Sequence, residues 1–154
     1  MKILVDADAC PVKEIIERVA KKYEIPVVMF IDSSHVLYSD YSEIVTVGQG
    51  KDAVDIALIN KTERGDVVVT QDYGVAAMAL GKGAYPINNF GVVISDDNIN
   101  RMLFERHISA KIRRSGGRLC GFHKRTKEND ERFEKNFTEL IEKLISERKE
   151  ASDD

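Results

Sequence analysis

The chain has 154 residues, of which 43% are hydrophobic and 32% charged, a composition that suits a globular protein with its own core and excludes a disordered one. Its net charge of −3 gives no overall sign of a polyanion-binding protein, and no apolar run approaches the roughly 20 residues of a membrane span. Because it has only two cysteines and reaches a charge too early for a signal-peptide core, we expect a cytoplasmic protein with reduced thiols.

Predicted strands and helices alternate along the chain. Strands are predicted where apolar residues run together, and helices where they recur every three or four positions. In chain order we predict a strand at 2–6, a helix at 11–22, strands at 26–31 and 43–47, a helix at 52–63, a strand at 66–70, a helix at 73–80, a short strand at 84–87, and helices at 97–114 and 129–149. This order predicts an α/β three-layer sandwich with a mainly parallel central sheet of four to five strands. We predict one domain over residues 1–150 and a frayed tail at 151–154.

The sharpest local motif, Val5-Asp6-Ala7-Asp8-Ala9-Cys10-Pro11, follows the first predicted strand. Two carboxylates two positions apart can both reach one cation where the chain turns, and the first amides of a following helix favour negative charge nearby. Asp6 and Asp8 are therefore candidate ligands. The structural alternative is that Asp8 caps a helix opened by Pro11.

Three further acids are expected near that motif. Asp52 and Asp55 share one face at the start of a predicted helix, where a capping pair is the structural alternative. Asp72 follows a buried strand whose Thr70 is suited to donate a hydrogen bond to a phosphate or a water. The carboxyl ends of parallel strands share one edge, where several carboxylates repel one another unless a hard cation, Mg²⁺ or Mn²⁺, lies between them. The predicted metal ligands are Asp6, Asp8, Asp52, Asp55 and Asp72.

Basic residues are concentrated in one segment. Residues 101–127 contain nine Lys or Arg and one acid, which leaves the remaining residues at −11. Arg113, Arg114 and Arg118 flank a Gly-Gly pair and are candidates to bind phosphates bidentately, although a charge run is also typical of a solvated face. This segment predicts RNA or another phosphodiester as the partner. His107, at helical spacing among apolar neighbours, is predicted to be packed rather than catalytic.

The final predicted helix has an apolar face, which favours packing against the body of the protein over self-association. The apolar residues of that face are Phe133, Phe137, Leu140, Ile141 and Leu144.

The Asp-Ala-Asp-Ala-Cys-Pro opening, the strand ending in Thr70-Gln71-Asp72 and the small-residue helix after it resemble the uncharacterised YaiI/YqxD protein family over nearly the whole chain. That family is grouped with PIN-like domains, whose known members are metal-dependent nucleases with acids after the first strand, in a central helix and after the fourth strand. The resemblance implies a PIN-like fold and a Mg²⁺- or Mn²⁺-dependent phosphodiesterase or ribonuclease. It implies catalytic roles for Asp6, Asp55 and Asp72, with Asp8 and Asp52 as supporting ligands.

Two other functions also fit the sequence. A haloacid-dehalogenase-like phosphatase would use Asp6 as a covalent nucleophile and Asp8 as a general acid, but it leaves Asp52 and Asp55 without a role. The other alternative is a non-catalytic module that binds RNA or a nucleotide through the basic segment. The remaining positions that follow the phosphatase order are Thr70, Lys82 and the pair Asp96-Asp97, which also suits a helix cap.

Overall fold

The structure, a computed structural model, describes residues 1–50, 52–116 and 124–153. The elements in these residues are β1 (Ile3–Asp6), α1 (Lys13–Lys22), β2 (Val27–Asp32), β3 (Glu43–Val47), α2 (Ala53–Lys61), β4 (Val67–Val69), α3 (Tyr73–Gly81), β5 (Tyr85–Ile87), α4 (Ile99–Arg114) and α5 (Lys127–Asp153). The predicted order is confirmed, and most boundaries move by one or two residues. Within the described ranges, none of the helices combines the length and apolar composition that a membrane span needs.

Two helix ends differ more informatively from the prediction. Helix α1 begins at Lys13 with Val12 at its N-cap position, so Pro11 lies in the preceding turn rather than at the first helical position. The start of α1 has no side-chain cap, so the cap expected from Asp8 is wrong. Helix α5 continues to Asp153, beyond its predicted end at residue 149.

The five strands form one parallel sheet in the order β3-β2-β1-β4-β5. Strand β1 is central because its apolar run is inaccessible on both faces, as buried parallel strands require. The chain moves outward from β1 to β3 in one direction and from β4 to β5 in the other. The order therefore reverses between β1 and β4, and in open α/β sheets this reversal opens a ligand-binding crevice at the carboxyl edge.

Helices cover both faces of the sheet, which confirms the three-layer sandwich. Ile3 and Val5 point to the layer formed by α1 and α5, whereas Leu4 points to the layer formed by α2 and α3. Helix α4 packs on α3 through its own small cluster, which includes Ile99 and Met102. Helix α4 is thus attached to the body mainly by its first turns.

Helix α5 fills the core on the α1 face. Phe133 and Phe137 are both 0% exposed, and their stacked ring centroids are 5.2 Å apart. The loop after β5 also fits closely against this helix at Gly91, which has a φ of +84° and whose added Cβ would lie 3.0 Å from Arg132 O. The apolar face predicted for the last helix therefore packs on the body.

Candidate functional site

Three predicted acids meet at the carboxyl edge of the sheet, beside the strand-order reversal. Asp6 is the last residue of β1, Asp55 lies in the first turn of α2, and Asp72 occupies the N-cap position of α3. The fold brings them close enough that, besides burial, the charges of Asp55 and Asp72 both raise the pKa of Asp6. Their predicted catalytic and metal-binding roles stay predictions.

Thr70 links two of these acids. Its hydroxyl donates to Asp6 Oδ2 at 3.4 Å and accepts the backbone N–H of Asp72 at 3.0 Å. Thr70 is only 2% exposed, so in this structure its hydroxyl holds the ends of β1 and β4 together. The predicted contact of Thr70 with a substrate stays a prediction.

The acids carry perturbed pKa values because they are partly buried and crowded. Burial, reinforced by the charges of Asp55, Asp8 and Asp72, raises the pKa of Asp6 from 3.8 to about 6, although the hydrogen bond from Thr70 opposes the shift. Burial also raises the pKa of Asp55, and the charges of Asp72 and Asp52 add to this effect. A group of carboxylates that disfavours its own ionisation is a candidate for functional chemistry.

Asp72 is also a structural residue. Its Oδ1 accepts the backbone N–H groups of Gly74 at 2.8 Å and Val75 at 3.2 Å, which caps α3. The same oxygen lies 3.3 Å from Arg106 Nη1. Gly74 permits this arrangement, because an added Cβ would lie 3.1 Å from Asp72 Oδ1.

We expect Asp72→Ala to lower the free energy of unfolding by about 1 kcal/mol, because alanine removes the N-cap hydrogen bonds. Asp72→Asn should leave stability nearly unchanged, since asparagine caps as well as aspartate does. Urea denaturation of both variants measures the difference. An asparagine variant as unstable as the alanine variant would show that the charge, and not the cap, stabilises α3.

Arg106 is a site residue that sequence reasoning missed. It lies within the basic segment, but only the packing of α4 on α3 brings its guanidinium to Asp72. Its positive charge lowers the pKa of Asp55 and so partly offsets the crowding of the acids. With a side chain that is 56% exposed, Arg106 keeps donors free to face a solvent-borne anion.

Asp52 occupies the N-cap position of α2, but its side chain makes no capping hydrogen bond. It is exposed, and its charge acts on Asp55. The capping-pair alternative is therefore not realised. Lys51, which precedes this pair, lies outside the described residues.

Asp8 faces β2 rather than the start of α1. Its Oδ2 accepts the backbone N–H of Asp32 at 3.2 Å, and its Oδ1 lies 3.1 Å from His35 Nδ1. Sequence reasoning did not single out Asp32 and left His35 without a role. Asp32 could have been identified from the sequence, because it ends the buried strand β2 just as Asp6 ends β1.

The predicted phosphate-binding arginines lie farther along α4. Arg113 and Arg114 are exposed in its last turn, and Arg113 is nearly two helical turns, about 10 Å, beyond Arg106 on the same side. Arg118 lies outside the described residues. Arg125 lies beside a pocket that Asp6, Asp8 and Asn89 line. Its Nη2 donates to Asn89 O at 2.7 Å, and its Nε lies 2.6 Å from Asp130 Oδ1.

The packed position predicted for His107 is wrong, because this residue is exposed. Only Ile99 and Met102 of α4 are buried, and Phe104 is 62% exposed. The apolar spacing around His107 lies on the part of the helix that extends past α3. A helical pattern alone does not reveal where the supporting surface ends.

The structure does not bring Lys82 to Asp6 and Asp8, as the phosphatase alternative requires. Lys82 Nζ donates to Ile59 O at 2.7 Å and Thr62 O at 3.2 Å, at the C-terminal end of α2. Helix α3 starts beside Asp6 and carries Lys82 about 13 Å away toward the opposite edge. The cap expected from Asp96-Asp97 is also wrong, since Asn98 holds the N-cap position of α4.

Comparisons with known proteins identify the family. A family model described as "Uncharacterized BCR, YaiI/YqxD family" matches residues 4–143. The chain is 64% identical over 135 residues to a UPF0178 protein of Ruminiclostridium cellulolyticum, covering 88% of each chain. It is 56% identical over 149 residues to a UPF0178 protein of Lachnoclostridium phytofermentans, covering 95% of this chain and 100% of the relative. No solved structure matches the chain. The protein belongs to the uncharacterised YaiI/YqxD family.

Proposed function

We propose that this protein is a Mg²⁺- or Mn²⁺-dependent phosphodiesterase that hydrolyses RNA at the carboxyl edge of its sheet. The observation that carries the proposal is the crowding of Asp6, Asp55 and Asp72 at one partly buried edge, where burial first, and then the charges of Asp55, Asp8 and Asp72, raise the pKa of Asp6 to about 6. A divalent cation between carboxylates would remove the repulsion between these charges. The resemblance to PIN-like nucleases assigns the same three acids to catalysis.

The donor set of Asp6, Asp55 and Asp72 consists of carboxylate oxygens, which are the ligands that a hard cation prefers. Among the described residues, Asp6, Asp55 and Asp72 do not form a group whose ligand atoms all lie within 4.8 Å of one another. Mg²⁺ usually keeps several waters and binds one or two carboxylates directly. The donor set of oxygen atoms therefore fits Mg²⁺ or Mn²⁺ held partly through water.

The side chains at this edge have separable roles in hydrolysis. When bound, the cation would supply charge stabilisation to the phosphodiester and a water of lowered pKa. Thr70 fixes the orientation of Asp6 relative to Asp72. Asp6 would hold the cation together with Asp55 and Asp72, because its pKa of about 6 leaves it mostly ionised at neutral pH even without metal.

The basic face of α4 supports a polyanionic substrate. Arg106 lies beside Asp72, and Arg113 continues the same side of the helix into solvent. Phosphate groups repeat along an RNA strand. Arginines placed one after another along α4 would therefore guide the RNA backbone toward the acids and the cation. Exposed aromatic residues are sparse on this helix, which favours recognition of the backbone over recognition of bases.

We expect Mn²⁺-dependent cleavage of single-stranded RNA by the purified chain, abolished by a chelator. Asp55→Asn should lower the rate at least about 100-fold, because it removes a ligand from the cation and a charge from the site. The matched control is Asp40→Asn, an exposed acid three residues before β3 at the opposite edge. The rate is measured on labelled RNA, single-stranded DNA and a phosphomonoester.

The three substrates distinguish the functions. Cleavage of the phosphomonoester alone would favour a phosphatase and contradict the proposal. RNA binding that weakens with salt but shows no turnover with any metal would identify a binding module. Equal loss of activity in Asp40→Asn and Asp55→Asn would show that the site lies elsewhere.

A further inference from the structure

A second group of metal-ligating side chains lies beside β2. Asp8, Asp32 and His35 each offer one ligand atom, and these atoms all lie within 4.8 Å of one another, the one such group among the described residues. Asp32 ends β2, and its Oδ1 accepts the backbone N–H of Ser34 at 2.8 Å. This turn brings His35 back over the end of β1, opposite Asp8.

The distances in this group match the ligands of a single ion. His35 Nδ1 lies 3.1 Å from Asp8 Oδ1 and 3.1 Å from Asp32 Oδ1. Ligands at about 2.0–2.2 Å from a transition-metal ion lie about 3.0–3.5 Å from one another in octahedral or tetrahedral geometry. The three atoms are therefore close enough together to contact one ion.

One ligand atom of the group is buried without a hydrogen bond, although the Asp8 side chain that carries it is 25% exposed. Asp8 Oδ1 has almost no accessible surface and accepts no hydrogen bond from the described residues, although the imidazole of His35 lies close to it. Buried carboxylate oxygens without a donor are uncommon in folded proteins. An ion at this position would satisfy the oxygen.

The geometry points to a second metal site, formed by Asp8, Asp32 and His35, that binds a divalent transition metal in preference to Mg²⁺. Imidazole together with carboxylates suits Zn²⁺ and Mn²⁺, whereas Mg²⁺ prefers oxygen ligands alone. This site goes beyond the proposed function, since neither Asp32 nor His35 belongs to the group of Asp6, Asp55 and Asp72. The competing explanation is a protonated imidazole that merely pairs with two carboxylates.

Calorimetric titration of the full chain with Zn²⁺, and separately with Mg²⁺, tests the site. We expect saturable Zn²⁺ binding that His35→Gln weakens at least about tenfold, as loss of one of three ligands should. Asp32→Asn should weaken it similarly. Because His35 is more than half exposed, its replacement should leave the fold intact, which thermal unfolding without metal verifies.

His107→Gln is the matched control, because His107 is an exposed histidine on α4, outside this group. It should bind Zn²⁺ as tightly as the unsubstituted chain does. The same titration on an Asp55→Asn background should also retain Zn²⁺ binding, which separates this site from the proposed catalytic cation. Absence of saturable Zn²⁺ binding, or equal affinity of His35→Gln and the unsubstituted chain, would leave His35 as an ion-pair partner only and overturn the proposal.

Discussion

Asp6→Asn is expected to lower metal-dependent RNA hydrolysis at least about 1000-fold while making the folded protein more stable at neutral pH. The loss of rate follows from the removal of the central carboxylate of the site. The gain in stability follows from burial, which raises the pKa of Asp6 to about 6. An ionised Asp6 is therefore held in the fold at a cost that asparagine does not carry.

The sign of the pH dependence follows from this shift. Because the pKa of Asp6 is higher in the folded chain, the folded state binds more protons between about pH 4 and pH 6, and wild-type stability falls as pH rises through that window. The full shift would correspond to about 3 kcal/mol, and partial solvent screening reduces this to about 1–2 kcal/mol. Asp6→Asn should lose this part of the pH dependence.

Chemical denaturation of both proteins from pH 4 to pH 8, without metal, measures the effect. Mn²⁺ should then raise the melting temperature of the wild type more than that of Asp6→Asn, since only ionised acids gain from a cation. Asp40→Asn, at the opposite edge, should change neither quantity. An Asp6→Asn variant that is less stable than the wild type at pH 8 would contradict the inference that ionised Asp6 destabilises the folded chain.

Phe137→Ala is expected to lower the free energy of unfolding by about 3–5 kcal/mol, the range for a large aromatic residue removed from a core. Phe137 is 0% exposed, and its ring stacks on that of Phe133. Its loss would open a cavity where α5 packs on the sheet and α1. Because small domains are stable by only about 5–15 kcal/mol, this change should remove a large part of the total.

Urea denaturation measures the effect, and Phe104→Ala is the matched control. Phe104 is also a helical phenylalanine, but it is 62% exposed, so its truncation should cost less than about 0.5 kcal/mol. Similar losses in the two variants would show that α5 contributes little more than an exposed helix does.

The fold could be predicted because its central strands are buried on both faces. The uninterrupted apolar runs of β1 and β2 leave little choice but a parallel central sheet. Helix boundaries could be predicted only to within a few residues. Pro11 is suited to the first position of a helix, yet it lies in the turn before α1. The local sequence indicates which residues favour a helix start, whereas the residue at which the helix begins depends on tertiary contacts.

The acids of the site could be predicted because strand ends converge in any parallel sheet. Arg106 and His35 could not, because each reaches its partner only through packing of a helix or the course of a loop. The prediction that Lys82 joins these acids was wrong for a related reason. Helix α3 separates Lys82 from them, and its ammonium group binds the end of α2 instead. The order of elements along the sequence predicts which edge of the sheet a residue occupies only when that residue lies at the end of a strand or a helix.

The packing of α5 against α1 also determines when the protein can finish folding during synthesis. Ile16 and Val19 of α1 are covered by residues that the ribosome adds more than one hundred positions later. Until those residues emerge, the nascent chain exposes a hydrophobic surface on one side of its sheet. Emergence of α5 from the ribosome, more than formation of the strands themselves, should therefore complete this side of the core, and binding by chaperones should be strongest before that moment.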